Sequence, residues 1–230
     1  KMNVHSVSQI QVCKSCGTLC HEVDPARQAK MADYYRNDYR KIPNHQNIVT
    51  TNNKLLYIEQ FLGEWLKDKK GLLCGDVGAA TGYFLNWLRS LGHRGTGAEY
   101  TIGFRRMSEH FYGVPLTEEL DHQHRYDLIS MYHVFEHLPE PDKHLVKYRN
   151  MLSDTGVMMI ATPFWLGALE RQSNEPIMSP GKHVNAQSAF DDLFHKDHIN
   201  LFSVQNLQNM FRKYGLSILK ETPKPYGQTY

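Results

Sequence analysis

The pattern of hydrophobic and polar positions is most regular after residue 71, where short apolar runs alternate with amphipathic segments. Residues 72–77 form such a run, and the small residues of 78–82 lead from it into an amphipathic segment at 83–91. Apolar runs bounded by glycine are typical of strands, and apolar positions three and four residues apart are typical of helices. This stretch therefore predicts a strand, a tight turn and a helix.

The same alternation continues along the chain. It predicts further strands near 95–99, 114–118, 126–131 and 156–162, helices near 102–112, 141–151 and 203–214, and a last strand at 216–220. Helices are also predicted at 26–40 and 53–65, separated by a polar break at 43–53. Strands that alternate with helices require right-handed crossovers. The predicted fold class is α/β, with a doubly wound, mostly parallel Rossmann-like sheet and helices on both faces.

Composition divides the chain into three predicted parts. Residues 1–30 form a small cysteine-bearing module, 31–70 a helical extension, and 71–230 the main domain with an irregular insert at 163–197. The insert exceeds the usual length of a connection and mixes aromatic with polar residues. We interpret it as a lid or acceptor-binding segment, with a surface excursion or an oligomer contact as the alternative.

Charge and hydropathy exclude several classes of partner. The 230 residues carry a net charge of +2 without a run of Lys or Arg, which makes nucleic-acid binding unlikely. No apolar run is long enough to span a bilayer, and no signal-peptide core precedes the first module. We expect a cytoplasmic protein that does not bind membranes, and its oligomeric state stays undetermined.

The turn at 78–82 has the chemistry of a nucleotide site. Glycine permits positive φ and lets a ligand touch the backbone, while the N-terminus of the next helix favours an anionic group. The second strand, at 95–99, ends in Glu99. An acid at this place can hold ribose hydroxyls in a doubly wound sheet.

Residues 76–82 read Asp-Val-Gly-Ala-Ala-Thr-Gly. This stretch resembles the first motif of class I S-adenosylmethionine (SAM) methyltransferases, acid-aliphatic-Gly-x-Gly-x-Gly, with Ala80 in place of the middle glycine. Residues 126–141, which include Glu-His-Leu at 136–138, resemble the fourth-strand segment of the ubiquinone-type and sugar-type branch. Residues 198–216 are similar to its C-terminal segment. The resemblance covers about residues 71–220 and implies methyl transfer from SAM.

The resemblance also implies which residues contact SAM. The glycine loop would approach the cofactor, Glu99 would hold the ribose, the segment around Glu118 would pass the adenine, and the end of the fourth strand would lie beside the methionine. The implied SAM-binding residues are Asp76, Gly78, Ala80, Gly82, Glu99, Glu118, Met131 and Tyr132.

Three histidines are candidates for the general base of the transfer. His133 and His137 follow the fourth strand, where ligands bind in open α/β sheets, and His198 follows the insert. A neutral imidazole suits this role because histidine titrates close to physiological pH. The alternative is that these side chains only hydrogen-bond their own loops.

Three of the four cysteines lie together near the N-terminus as Cys13, Cys16 and Cys20, with Gly17 after the second. Cys-x-x-Cys-Gly is a common half of a zinc knuckle, so the three thiolates are candidate Zn²⁺ ligands. The fourth ligand is open among His21, His5, His45 and others. A redox dithiol or plain reduced thiols are the alternatives. The same segment resembles zinc-bearing sugar methyltransferases.

The favoured acceptor is a small molecule, most of all a sugar or nucleotide-linked sugar methylated at oxygen or carbon. A phenolic or carboxylic metabolite is the alternative. Two other classes of protein stay open: a non-catalytic protein with the SAM fold, and an NAD-dependent oxidoreductase. Titration with S-adenosylhomocysteine (SAH) and NADH distinguishes the oxidoreductase, and a turnover assay distinguishes the non-catalytic protein.

Overall fold

The structure is a computed structural model, and it describes residues 10–13, 17–21, 25–38, 45–163, 177–179, 182–184 and 198–221. The chain divides into two compact units. The sheet unit comprises Ala26–Val134 and Lys147–Ala161. The terminal unit comprises Lys1–Pro25, Phe135–Val146 and Thr162–Thr229.

The sheet unit is built on a five-stranded sheet in which every neighbouring pair is parallel. The strands are β3 (Leu73–Val77), β4 (Arg94–Ala98), β5 (Leu116–Thr117), β6 (Tyr126–Tyr132) and β7 (Leu152–Ala161). Their order across the sheet is β5-β4-β3-β6-β7. This arrangement confirms the predicted mostly parallel sheet. The order reverses between β3 and β6, and ligands of open α/β sheets bind beside such a point.

Helices alternate with strands along the chain, as predicted. They are α1 (Pro25–Asn37), α2 (His45–Leu66), α3 (Tyr83–Ser90), α4 (Ile102–Tyr112), α5 (Pro141–Arg149) and α6 (Val204–Lys213). The predicted break at 43–53 is wrong from His45 onward, because α2 already begins there. A polar run without glycine or proline lacks an apolar face but does not stop a helix.

Strand β3 lies at the centre of the hydrophobic core of the sheet unit. Its residues Cys74, Gly75, Asp76 and Val77 are all buried. Helices α2 and α3 contribute apolar side chains to the same cluster, which includes Ile58, Leu62, Leu66, Phe84, Leu85, Leu88, Val114, Leu128 and Met159. A strand that is covered on both faces reads as a continuous apolar run, which is the pattern that predicted it.

The terminal unit joins distant parts of the sequence in a small antiparallel sheet. Strand β2 (Leu19–His21) lies between β1 (Ile10–Val12) and β10 (Asn200–Leu201). A short 3₁₀ helix covers Phe135–His137, and an antiparallel pair is formed by β8 (Ile177–Ser179) and β9 (Lys182–Val184). The rest of the predicted insert at 163–197, apart from Pro163, lies outside the described residues.

The predicted last strand at 216–220 is wrong. Residues 216–220 are not part of a strand, and Leu219 is 76% exposed. The Leu216 amide instead donates to the Phe211 carbonyl of α6 at 2.9 Å, a bond that closes the end of a helix. Among the described residues, no helix is both long and apolar enough to cross a membrane.

Candidate functional site

The loop between β3 and α3 has three residues in the left-handed region of φ. Gly78 has φ 71°, Gly82 has φ 72°, and Ala80, between them, has φ 48°. Glycine enters this region without penalty, whereas a Cβ makes it costly. Every second residue of the motif, from 78 to 82, therefore needs a left-handed backbone conformation. Ala80 adopts this conformation under strain.

Packing gives the two glycines a second requirement. A Cβ at Gly78 would overlap the Val134 side chain, and one at Gly82 would overlap the Ser108 hydroxyl. Ser108 is fully buried and donates to the Val114 carbonyl at 2.7 Å, so it has little room to move. The loop thus lies directly against α4 and the residues after β6.

Backbone amides fix this loop to the end of β4. The amides of Gly78 and Ala79 both donate to the Ala98 carbonyl, at 2.8 and 3.0 Å. The next amide, that of Ala80, donates to Glu99 Oε2 at 2.9 Å. Successive donors directed at one strand end leave the loop with a defined shape before any ligand binds.

The Glu99 carboxylate is held by two backbone amides at once. Oε2 accepts from Ala80, and Oε1 accepts from the Thr101 amide at 2.8 Å. An ionised carboxylate has about four lone-pair sites, so further hydroxyl donors can still bind. The structure therefore brings the predicted ribose-binding residue against the predicted glycine loop.

Asp76 lies one residue before the end of β3 and is 6% exposed. Its Oδ1 accepts a short hydrogen bond from the Ser130 hydroxyl, on the neighbouring strand β6. A buried carboxylate needs such donors, because losing water is costly for a charge. The bond ties the two central strands together below the loop, and it positions Asp76 as a support of the site.

Glu118 directly follows β5 and pairs with arginines from two helices. Arg36 Nη2 lies 3.0 Å from Oε2, and Arg105 Nη2 lies 3.4 Å from Oε1. The hydrogen bond from Arg36 lowers the pKa of Glu118 below its ordinary value. The carboxylate is therefore paired with two cations, and its role beside the adenine stays a prediction.

The next predicted residues lie at the carboxyl end of strand β6, which is the same end of the sheet. Met131 is completely buried, whereas Tyr132 and His133 are half-buried. The Tyr132 and His133 rings meet edge to face at 4.8 Å. Of the two predicted methionine-side residues, Tyr132 is the one with an accessible side chain.

His133 has a backbone conformation that is unusual for a residue with a Cβ. Its φ is 54°, and its amide donates to the Ala161 carbonyl at 2.8 Å, which extends the β6–β7 pairing. Left-handed non-glycine residues are uncommon and are concentrated at functional sites. The strained conformation supports His133 as a site residue.

His137 and His198 belong to the terminal unit, where they lie together. Their ring centroids are 4.9 Å apart, and His137 Nε2 is 3.8 Å from Glu136 Oε1. Donor atoms of these three residues lie within 4.8 Å of one another. The structure therefore pairs two of the three predicted base candidates, and the third, His133, belongs to the sheet unit.

The predicted metal ligands are described in part. The Gly17 amide donates to the Cys13 carbonyl at 2.8 Å, and Gly17 has φ 74°. Cys20 Sγ donates to the Gln11 carbonyl at 3.7 Å. Cys16 lies outside the described residues. Cys74 is fully buried, and burial raises the pKa of its thiol to about 12, which makes it an unreactive core residue.

A family model for a methyltransferase domain matches residues 51–221, which cover the glycine loop, Glu99 and the Glu-His-Leu stretch. The chain belongs to this methyltransferase-domain family. It is a SAM-dependent methyltransferase. No curated protein matches the methyltransferase significantly in sequence.

Solved structures share the fold of the methyltransferase at low sequence identity. Magnesium protoporphyrin IX methyltransferase from Synechocystis PCC 6803, with bound SAH, is 15% identical with TM-score 0.52, over 84% of this chain and 91% of that chain. Burkholderia thailandensis 1,6-didemethyltoxoflavin-N1-methyltransferase, with bound substrate and SAH, is 15% identical with TM-score 0.51, over 90% and 87%. A methyltransferase in complex with the Haloferax volcanii Trm112 activator is 15% identical with TM-score 0.54, over 80% and 75%.

Sequence reasoning missed several residues that shape the site of the methyltransferase. Ser130 could have been found, since a serine inside a buried apolar strand needs a partner. The Thr101 hydroxyl and Arg36 could not, because their contacts with Tyr35 and Glu118 join positions 66 and 82 residues apart in sequence. Glu136 was read only as part of a motif, although its side chain is 1% exposed.

Proposed function

We propose that the methyltransferase binds SAM at the β3–α3 loop and transfers its methyl group to a small-molecule acceptor. The observation that carries the SAM site is the Glu99 carboxylate, held by the amides of Ala80 and Thr101 beside the left-handed loop. A carboxylate fixed at the end of the strand next to a glycine loop is the arrangement that binds ribose in doubly wound sheets.

Each predicted cofactor residue has a proposed role in this arrangement. Gly78, Ala80 and Gly82 expose backbone to the ligand, and Glu99 accepts hydrogen bonds from the ribose hydroxyls. Asp76 supports the loop from below, Glu118 borders the adenine, and Met131 and Tyr132 border the methionine, with Tyr132 as the side-chain contact. When bound, SAM supplies a sulfonium that makes its methyl group electrophilic. The protein must align the acceptor and remove its proton.

Calorimetric titration with SAH tests the cofactor site. We expect binding to the parent, and a loss of about tenfold or more in affinity for Glu99→Gln, since hydrogen bonds to charged groups contribute about 1.5–3 kcal/mol. Glu109→Gln, at an exposed position on α4, is the matched control and should bind SAH like the parent. Equal affinities of all three proteins would reject the role of Glu99.

For an acceptor with a hydroxyl, we propose His133 as the general base. Its half-buried imidazole follows β6 in the sheet unit, which also holds the proposed SAM site, and its left-handed backbone supports a functional role. An imidazole nitrogen of His133 would accept the hydroxyl proton as the methyl group arrives. His137 and His198 are the alternative bases.

Substitution of His133 tests this assignment. His133→Asn keeps a residue that tolerates left-handed φ, so SAH affinity should stay unchanged while turnover falls by about a hundredfold to ten-thousandfold. A turnover within a few-fold of the parent would exclude His133. A large loss in His198→Asn instead would move the role to His198.

The proposed acceptor is a sugar or a nucleotide-linked sugar, methylated at oxygen or carbon, with a phenolic or carboxylic metabolite as the second choice. The support is the resemblance to the ubiquinone-type and sugar-type branch. Two structures that share the fold are named for small-molecule substrates, a porphyrin and a toxoflavin precursor. A screen of acceptor classes by SAH release tests the proposal, and transfer only to nucleic acid or protein would overturn it.

We also propose a structural Zn²⁺ at the N-terminal cysteines. The hydrogen bond from the Gly17 amide to the Cys13 carbonyl and the left-handed φ of Gly17 fit half of a zinc knuckle. Cys13, Cys16 and Cys20 would hold the ion as thiolates, and Cys20 would first give up its bond to the Gln11 carbonyl. Metal analysis of protein purified without added zinc tests this. A ratio near zero, with stability unchanged in chelator, would leave three plain thiols.

A further inference from the structure

A second group of ligating side chains lies in the terminal unit, away from the cysteines in sequence. It consists of Glu136 and His137, at the end of the 3₁₀ helix, and His198, just before β10. One carboxylate oxygen and one nitrogen from each imidazole lie within 4.8 Å of one another. We infer that these residues form a binding site for a divalent transition-metal ion such as Zn²⁺.

Burial of the carboxylate is the first argument. Glu136 is 1% exposed, and its Oε2 accepts a hydrogen bond from the Thr162 hydroxyl at 3.0 Å. Its other oxygen, Oε1, lies 3.8 Å from His137 Nε2. Taking an ionised carboxylate out of water is costly, and positive charge beside it offsets that cost. A divalent ion between this oxygen and the two imidazoles would add such charge to the contacts that the carboxylate already makes.

The donor set and its spacing fit such an ion. Two imidazoles and one carboxylate bind Zn²⁺ or Fe²⁺ in many proteins and leave further positions open. Ligand atoms bound at about 2.0–2.1 Å lie roughly 3.3 Å apart in a tetrahedral site. The observed separations of up to 4.8 Å therefore need a contraction of about an ångström, which side-chain rotation can provide.

Backbone contacts hold the two contributing segments together. The Ile199 amide donates to the Glu136 carbonyl at 2.9 Å, and the Asn200 side chain donates to the Leu138 carbonyl at 2.6 Å. The Phe135 and Phe202 rings stack with their centroids 5.2 Å apart. One ring comes just before Glu136 in sequence, and the other directly follows β10. The 3₁₀ helix and the strand thus have a fixed register, and the ligands need little ordering when a metal binds. His137 is 25% exposed, so an ion can enter from solvent.

The chemistry has a consequence for catalysis. A ligating imidazole uses its electron pair on the metal and cannot accept a proton with that nitrogen. A metal here removes His137 and His198 from the candidate bases and leaves His133. The site itself does not depend on the proposed SAM-binding residues, because every ligand belongs to the terminal unit.

Titration of chelator-treated protein with Co²⁺ tests the site, because Co²⁺ reports its ligands by visible absorption. The whole chain is used, and Co²⁺ held by the cysteines is recognised by thiolate charge-transfer absorption, which imidazole and carboxylate ligands do not give. We expect one Co²⁺ per chain whose absorption lacks that band. Glu136→Gln and His198→Ala should each weaken binding more than about tenfold, since even outer-shell substitutions cost about ten- to a hundredfold. His144→Ala, a histidine of α5 in the same unit, should bind like its parent.

X-ray absorption and SAH titration complete the test of the metal site. If a variant fails to fold, X-ray absorption of the zinc-loaded parent decides, and two imidazoles with an oxygen at about 2.0–2.1 Å are expected, distinct from thiolate sulfur at about 2.3 Å. Absence of Co²⁺ binding, or a zinc spectrum without histidine, overturns the inference. SAH titration of the same sample is read separately, so a failed metal site leaves the methyltransferase proposal intact.

Discussion

At the scale of single residues, Ala80 bears a cost that glycine would remove. Its φ of 48° lies in the left-handed region, where a Cβ costs about 1–2 kcal/mol. Glycine loses more chain entropy on folding, which offsets part of that gain. We therefore expect Ala80→Gly to raise the free energy of unfolding by up to about 1 kcal/mol, as measured by chemical denaturation.

The neighbouring Ala79 provides the matched control for this prediction. It is buried, and its φ is not positive. Its methyl group lies 2.9 Å from the place that a Cβ of Gly97 would take, so it packs against β4. Ala79→Gly should lower the stability of the protein. The strain interpretation fails if both substitutions destabilise by similar amounts.

His93, just before β4, makes folding sensitive to acid. It is 5% exposed, and its Nδ1 has no hydrogen-bond partner among the described residues. Burial and then the nearby Lys70 charge lower the pKa of His93. The unfolded chain therefore binds the proton more readily, so stability is full above the unfolded pKa of about 6.5 and falls as the pH drops through the folded value.

Denaturation at several pH values measures this linkage. The free energy of unfolding of the parent should fall more steeply between about pH 7 and about pH 5 than that of His93→Gln, since the variant lacks the titrating group. His110→Gln, at an exposed position of α4, should keep the slope of the parent. Parallel slopes for the parent and His93→Gln would exclude the linkage.

At the scale of elements, helix α1 is attached to the rest of the sheet unit by two contacts near the C-terminal end of the helix. Arg36 pairs with Glu118, and the Thr101 hydroxyl donates to the Tyr35 carbonyl at 3.0 Å. The ion pair is about two-fifths exposed on both sides, so solvent screening weakens it. Thr101 is 2% exposed, which makes its hydrogen bond the stronger attachment.

Hydrogen exchange of the α1 amides should rank these two contacts. Thr101→Val should accelerate exchange in Pro25–Asn37 more than Arg36→Gln does, because it removes a hydroxyl donor from the partly buried Tyr35 carbonyl. Arg105→Gln is the control, as it removes the longer bond to Glu118 without touching α1. Faster exchange in Arg36→Gln than in Thr101→Val would reverse the ranking.

The elements also show where sequence reasoning succeeds and where it ends. Strand β3 and the glycine loop were predictable, because burial on both faces and left-handed φ leave local signatures in residue type. Strand β10 was not, since Asn200 and Leu201 pair with β2 from the other end of the chain. The predicted strand at 216–220 had the right residue types, but no strand in the described part of the chain pairs with it. Pairing is a property of the fold, which a local pattern does not contain.

The candidate site residues also differ in whether local sequence could predict them. Gly78, Gly82 and Glu99 could be predicted because loop geometry and strand ends constrain them locally. The grouping of Glu136 and His137 with His198 could not, because it depends on the register between the 3₁₀ helix and the segment before β10. Spacing along the chain indicates chemistry only when one element carries all of its residues.

At the scale of the whole molecule, ligand binding should appear as added stability of the unit that holds each site. SAH at a hundred times its Kd should raise the free energy of unfolding by about 2.7 kcal/mol, because it binds only the folded state. Hydrogen exchange should then slow around residues 78–82 and 99–101, whose amides surround Glu99. Glu99→Gln should need proportionally more SAH for the same shift. A full thermal shift without slower exchange around Glu99 would mean that SAH binds elsewhere.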